Sequence, residues 1–207
     1  MSAADTVRGL TAIVDYGAGN LTSVRNAFAA IGVETVVTRD PAVVAAADRV
    51  VFPGVGAAKS AMDNLRAMGL VEAVKAAADS GRPFLGICLG MQILFEHSEE
   101  DGGVDLLGVL GGTVRRFPDV PGCKVPEIGW NQVEPLADVA DGNVFGKEFY
   151  FVHSYCADLV PETYGVNEYA GVRFTAMVRR GKLWACQFHP EKSGNVGLRL
   201  LRAWSAL

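Results

Sequence analysis

Apolar and polar positions follow different rhythms in the two halves of this chain. Thr11-Ala12-Ile13-Val14 is an apolar run, and Leu21, Val24, Phe28 and Ile31 then recur at helical spacing. A buried strand followed by an amphipathic helix is predicted. Residues 33–38 and Arg49-Val50-Val51-Phe52 predict two more strands, and residues 57–67 and 70–78 predict two helices parted at Gly69. Pro83-Phe84-Leu85 reads as a further short strand. Strands alternating with helices imply right-handed crossovers and a parallel sheet covered on both faces. Beyond the polar stretch Ser98-Glu99-Glu100-Asp101-Gly102-Gly103, read as a solvated connector, the rhythm changes. Residues 112–117, 128–134, 148–155, 173–178 and 183–188 are strand-like with little helix between them. They predict an antiparallel extension of the sheet rather than a second domain. Residues 196–207 close the chain as a helix with Leu198, Leu201 and Trp204 inward. The expected architecture is α/β, with a tail over residues 1–10 and one domain over residues 11–207.

One turn in this pattern carries chemistry. Cys88 sits in Gly86-Ile87-Cys88-Leu89-Gly90, where the strand gives way to the helix formers Met91-Gln92-Ile93-Leu94-Phe95-Glu96. Glycines two residues to either side permit a backbone too tight for side chains, so the thiol is pushed out at the end of a sheet. That is the geometry of a nucleophile elbow, and a helix N-terminus favours thiolate over thiol. Near the other end, Trp184-Ala185-Cys186-Gln187-Phe188 reads as a strand delivering His189-Pro190-Glu191. Proline holds His189 extended, and residues two apart in an extended segment share a side. Glu191 can therefore orient the imidazole. Cys88, His189 and Glu191 supply the nucleophile, base and orienting carboxylate of covalent catalysis.

The chain has three histidines, which narrows the base. His97 is predicted on the helix that follows Cys88, roughly 13 Å along its axis, beyond hydrogen-bond reach. His153, in an aromatic strand, is read as structural or substrate-lining. A tetrahedral intermediate also needs backbone donors at its oxygen. Leu89 N–H and the Gly54-Val55 segment, ahead of Gly56, are candidates; a plain strand-to-helix turn is the other reading of that loop. Gly17-Ala18-Gly19 lacks the third glycine of a dinucleotide loop, since Thr22 holds that place.

The bulk numbers exclude several classes. With 207 residues, 50% hydrophobic and 20% charged, one domain with a full core is expected. A net charge of -4 argues against a nucleic-acid partner. No run approaches the length of a membrane span, and the first residues lack a signal-peptide pattern. Cys88, Cys123, Cys156 and Cys186 show no metal spacing, so free thiols in a reducing cytoplasm, with no metal and no cofactor, are expected.

The Gly86–Gln92 elbow with a distant Phe188-His189-Pro190-Glu191 resembles the class I (triad) glutamine amidotransferases. Within that superfamily, Asp15-Tyr16-Gly17-Ala18-Gly19-Asn20-Leu21, Pro53-Gly54-Val55-Gly56, Gly129-Trp130-Asn131 and residues 149–155 and 188–193 resemble the family of imidazole glycerol phosphate synthase glutaminase subunits. The resemblance covers residue 11 onward. It implies hydrolysis of glutamine to glutamate and ammonia through a Cys88 thioester, with Gly56, Gln92, Ser154 and Tyr155 holding the substrate. It also implies a heterodimer with a (β/α)8-barrel cyclase. That partner turns the ammonia into imidazole glycerol phosphate and aminoimidazole carboxamide ribonucleotide, in histidine biosynthesis. Trp130 is read as facing the partner or as core. Glu127 departs from the family, which often has histidine there, and puts the partner surface around it in doubt. Another amidotransferase's glutaminase, an autonomous γ-glutamyl hydrolase and an inactive scaffold are the competing readings.

Overall fold

A computed structural model describes residues 9–17, 19–136 and 141–207. The predicted tail therefore lies outside the described residues over 1–8. The first half runs β1 (Thr11–Val14), α1 (Leu21–Ala30), β2 (Thr35–Thr38), α2 (Pro41–Ala46), β3 (Arg49–Gly54), α3 (Ala58–Ala67), α4 (Val71–Asp79), β4 (Phe84–Cys88) and α5 (Leu89–Gln92). The second runs β5 (His97–Ser98), β6 (Val104–Asp105), β7 (Thr113–Arg116), β8 (Glu127–Gln132), β9 (Glu134–Pro135), β10 (Glu148–His153), β11 (Tyr155–Ala157), β12 (Thr163–Tyr169), β13 (Val172–Arg180), β14 (Leu183–Cys186) and α6 (Gly194–Ser205).

The architecture is a mixed α/β sheet. Among the described residues twelve strands join one sheet, its main path ordered β2-β1-β3-β4-β14-β13-β11-β7-β5-β6. The strands from β2 to β14 are parallel, and β13, β11 and β7 continue antiparallel. β4 and β14 lie side by side at the centre, buried along their whole length. That pairing brings two segments about a hundred residues apart, the Cys88 turn and the His189 turn, to the same end of the sheet. Ligands bind at the carboxyl ends of such strands.

Helices cover both faces. Met62, Leu65 and Val74 of α3 and α4 pack on one, while Phe28 of α1 with Leu200, Leu201 and Trp204 of α6 pack on the other. Each such side chain contributes about 1.5–3 kcal/mol by leaving water. Trp204 Nε1 also donates to the Phe84 carbonyl, 3.2 Å away, tying α6 to β4.

The structure departs from the sequence reading in several places. α2 was not predicted, although Asp40 caps it through Ala42 N–H and Pro41 opens it. The helix after Cys88 is one turn, not a run through Glu96. His97 lies on β5, its Nδ1 3.0 Å from Asp105. β8 and β10 do not extend the main sheet but pair with each other as a separate antiparallel ribbon. β12 was missed because Asn167 and Glu168 interrupt its apolar pattern. On α6, Leu200 rather than Leu198 is fully buried with Leu201 and Trp204.

Candidate active site

Cys88 ends β4 with φ 54 and ψ −112, a conformation rare for any residue with a side chain. Two close approaches make this turn possible. A Cβ on Gly90 would collide with the Phe52 carbonyl oxygen, and one on Gly86 would press on Ala185 Cβ and the Gly90 carbonyl at 3.1 Å. The glycines flanking Cys88 thus let β3, β4 and α5 meet backbone to backbone.

His189 follows β14 and begins a short 3-10 turn over Pro190–Lys192. The turn is stitched to β10: His189 N–H donates to the Tyr150 carbonyl at 2.9 Å, and Tyr150 N–H donates to Ser193 Oγ at 3.0 Å. Ser193 Oγ in turn donates to the His189 carbonyl at 2.6 Å. His189 Nδ1 lies 2.7 Å from Glu191 Oε1, both side chains being buried. A carboxylate only accepts, so Nδ1 carries the hydrogen. Nε2 has no hydrogen-bond partner among the described residues and is turned to the Cys88 side chain.

Burial works against a charged His189 ring, but interaction with Cys88 and the hydrogen bond and charge of Glu191 outweigh it, pushing the pKa up to about 10. A raised folded-state pKa stabilises the fold where the ring is protonated. The contribution is complete below the unfolded value near 6.5 and is lost as pH rises through about 10. Melting temperatures of the wild type and His189→Gln are therefore expected to differ most at pH 6 and to converge toward pH 10. A gap that stays constant across that range would contradict this.

Cys88 and His189 open onto a cavity of about 400 Å³ that Val55, Gly56, Leu89, Gln92, Ser154 and Tyr155 also line. Gly54 sits beside it, in register with Cys88 across β3 and β4. Three further residues at this site escaped the sequence reading. Gln187 Nε2 reaches Cys88 Sγ at 3.7 Å; it stands two residues before His189, so strand alternation could have found it. Glu100, read as part of a solvated connector, lines the cavity and accepts from Ala58 N–H at 2.6 Å, capping α3. Burial lifts its carboxyl above the ordinary range, against the Ala58 N–H, which lowers it. No spacing in the sequence links Glu100 to Ala58. Lys192 completes the rim.

His153 also lines the cavity, and its carboxylate neighbour is Glu127, across the ribbon rather than along the chain. Glu127 is buried, so its departure from the family pattern acts inside the protein and not on its surface. Trp130, 52% exposed, is not core. Cys156 and Cys186 are buried, and burial pushes the Cys156 thiol up to about 12.

Residues 12–203 match the family described as Glutamine amidotransferase class-I. The chain belongs to that family. It is 52% identical over 211 residues to "Imidazole glycerol phosphate synthase subunit HisH" of Dechloromonas aromatica, covering 95% of this chain and 96% of that one. It is 44% identical over 209 residues to "Imidazole glycerol phosphate synthase hisHF, chloroplastic" of Arabidopsis thaliana, where the match spans 97% of this chain but 34% of the longer relative. A solved structure described as a glutamine amidotransferase superposes with a TM-score of 0.69 at 21% identity, over 95% of this chain and 99% of that one. At that identity the likeness speaks for the fold. Among the described residues no helix is long and apolar enough to cross a membrane.

Proposed function

We propose that this chain is the glutaminase subunit of an imidazole glycerol phosphate synthase, releasing ammonia from glutamine for a cyclase subunit in histidine biosynthesis. The observation that carries this reading is the junction of Cys88, His189 and Glu191 at an amino-acid-sized cavity. The near full-length similarity to HisH proteins supports the pathway.

In this mechanism the Cys88 thiolate attacks the side-chain carbonyl carbon of glutamine, and the C=O electron pair moves onto oxygen. Leu89 N–H and a donor from the Gly54-Val55 segment stabilise that oxyanion. His189, protonated at neutral pH, gives its Nε2 proton to the departing nitrogen. Ammonia leaves, and a γ-glutamyl thioester remains. His189 then takes a proton from water, which attacks the thioester and frees glutamate. Glu191 fixes the tautomer and stabilises the imidazolium throughout. Gly56, Gln92, Ser154 and Tyr155 hold the amino acid, and the Glu100 carboxylate suits its ammonium group. Both N–H groups of Gln92 are committed, to the Tyr155 carbonyl and to Gln187 Oε1, each at 2.8 Å. Gln92 therefore offers substrate its Oε1.

Ammonia is useful only if it reaches its acceptor before bulk water protonates it, so the cavity must open toward a partner. Ile128 and Trp130 project from β8, 62% and 52% exposed, with Tyr150 edge-on to Trp130. Two large apolar side chains held outward on one strand suit a docking face for a (β/α)8-barrel cyclase. Glutamate release is expected to be slow for the chain alone and to rise at least about a hundredfold with a cyclase subunit and its ribonucleotide substrate. A rotating Gly54-Val55 peptide that turns an N–H to the oxyanion would account for such gating. Equal rates with and without the partner would leave an autonomous amidase instead.

A further inference from the structure

Glu127 and His153 are paired by register across β8 and β10, and both are buried. His153 Nε2 lies 3.1 Å from Glu127 Oε2. Neither atom has a hydrogen-bond partner among the described residues, each other included. His153 Nδ1 lies 2.8 Å from the Tyr155 carbonyl oxygen, which can only accept, so Nδ1 carries a hydrogen. Glu127 therefore meets the ring edge as a close polar contact and not as an aligned hydrogen bond. Glu127 Oε1 accepts from Asn131 Nδ2. Phe117, Phe151 and Phe174 box the imidazole, with ring centroids 5.2, 5.7 and 5.3 Å away.

The contacts run on toward the nucleophile. The Tyr155 carbonyl that receives His153 also receives Gln92 Nε2. Gln92 holds Gln187, and Gln187 reaches Cys88. We infer that Glu127 and His153 are positioning residues for the substrate: by fixing the Tyr155 carbonyl they fix Gln92 at the cavity wall. The inference rests on reading that cavity as a glutamine site. Neither residue touches the reacting atoms. What the site requires is the Nδ1 hydrogen for Tyr155 and, at position 127, a side chain that reaches both Asn131 and the ring edge.

The test compares two reagents for Cys88 on the whole chain. The glutamine analogue 6-diazo-5-oxo-L-norleucine must occupy the amino-acid site before it alkylates, while iodoacetamide needs only the thiolate. His153→Phe keeps a ring in the aromatic box but removes the donor. It is expected to raise the half-saturating analogue concentration about tenfold, the scale of one lost hydrogen bond, with the iodoacetamide rate within about twofold of wild type. Glu127→Leu should behave alike. Glu127→Gln keeps the length of the side chain beside Nε2 and the acceptor for Asn131, and is expected to restore saturation to within about twofold of wild type. The inference is overturned if His153→Phe saturates like wild type, if Glu127→Gln fails as badly as Glu127→Leu, or if both reagents slow together. If the wild type is alkylated by iodoacetamide but shows no saturable analogue site, the glutamine reading falls, and the inference with it.

Discussion

Replacing Cys88 by glycine is expected to yield a chain that melts higher than the alanine variant and has no measurable glutaminase activity. Both substitutions remove the thiol that faces His189, so glutamate release should fall by at least about 10⁴-fold in either, the scale on which triad nucleophiles act. Their stabilities should separate. Cys88 holds φ 54 and ψ −112 because the elbow must aim its side chain out of the sheet. A residue with a Cβ stores about 1–3 kcal/mol in such a conformation. Alanine keeps that strain and glycine sheds it. Glycine loses about 0.5–1 kcal/mol through the greater freedom of its unfolded chain, so relief wins by about 1 kcal/mol. Thermal unfolding of the two variants, with activity assayed alongside the partner, checks both halves. Equal melting temperatures would mean the elbow is not strained.

What could be read from the sequence, and what could not, divides by range. The elbow was legible because its requirements are local: two glycines around Cys88, an apolar run before it and helix formers after it. His189 and Glu191 were legible because Pro190 restricts the histidine and the spacing is two residues. The adjacency of β4 and β14, which joins these segments, is a long-range pairing that no local pattern encodes; chemistry suggested it and the fold supplied it. The failures have the same origin. Ser98–Gly103 looks solvated because its composition is polar and acidic, yet Glu100 is drawn to the Ala58 N–H at the start of α3. Residues 128–134 and 148–155 have strand patterns, and pattern does not say whether a strand joins the main sheet or leaves it as a ribbon. Glu127 looked like a surface substitution because its partner, His153, is 26 positions away along the chain and opposite it across the ribbon. The one-turn length of α5 was hidden because Ile93, Leu94 and Phe95 suit a helix as well as they suit the buried turn they form.

Gly90→Ala is expected to be among the most damaging single-methyl changes at the site, costing about 3 kcal/mol or more and most of the activity. The added Cβ would point into the Phe52 carbonyl oxygen and crowd the Pro53 backbone. These are main-chain atoms inside a parallel sheet, so no side-chain rotation relieves the clash, and overpacking without relief lies at the upper end of its usual range. The only escape is to pry α5 away from β3. That movement would shift Leu89 N–H relative to the Gly54-Val55 segment, the two proposed sources of oxyanion donors. A displacement near 1 Å at such a site costs rate as well as stability. Gly86→Ala provides the control from the other side of the same turn. Its Cβ would meet Ala185 Cβ and the Gly90 carbonyl at 3.1 Å, a contact that a few tenths of an ångström would relax. It should cost about 1 kcal/mol and keep most of the activity. Denaturant unfolding of both variants, with Cys88 alkylation as a report on the elbow, measures the contrast. Similar losses for the two would mean that β3 and α5 are not held backbone to backbone by Gly90.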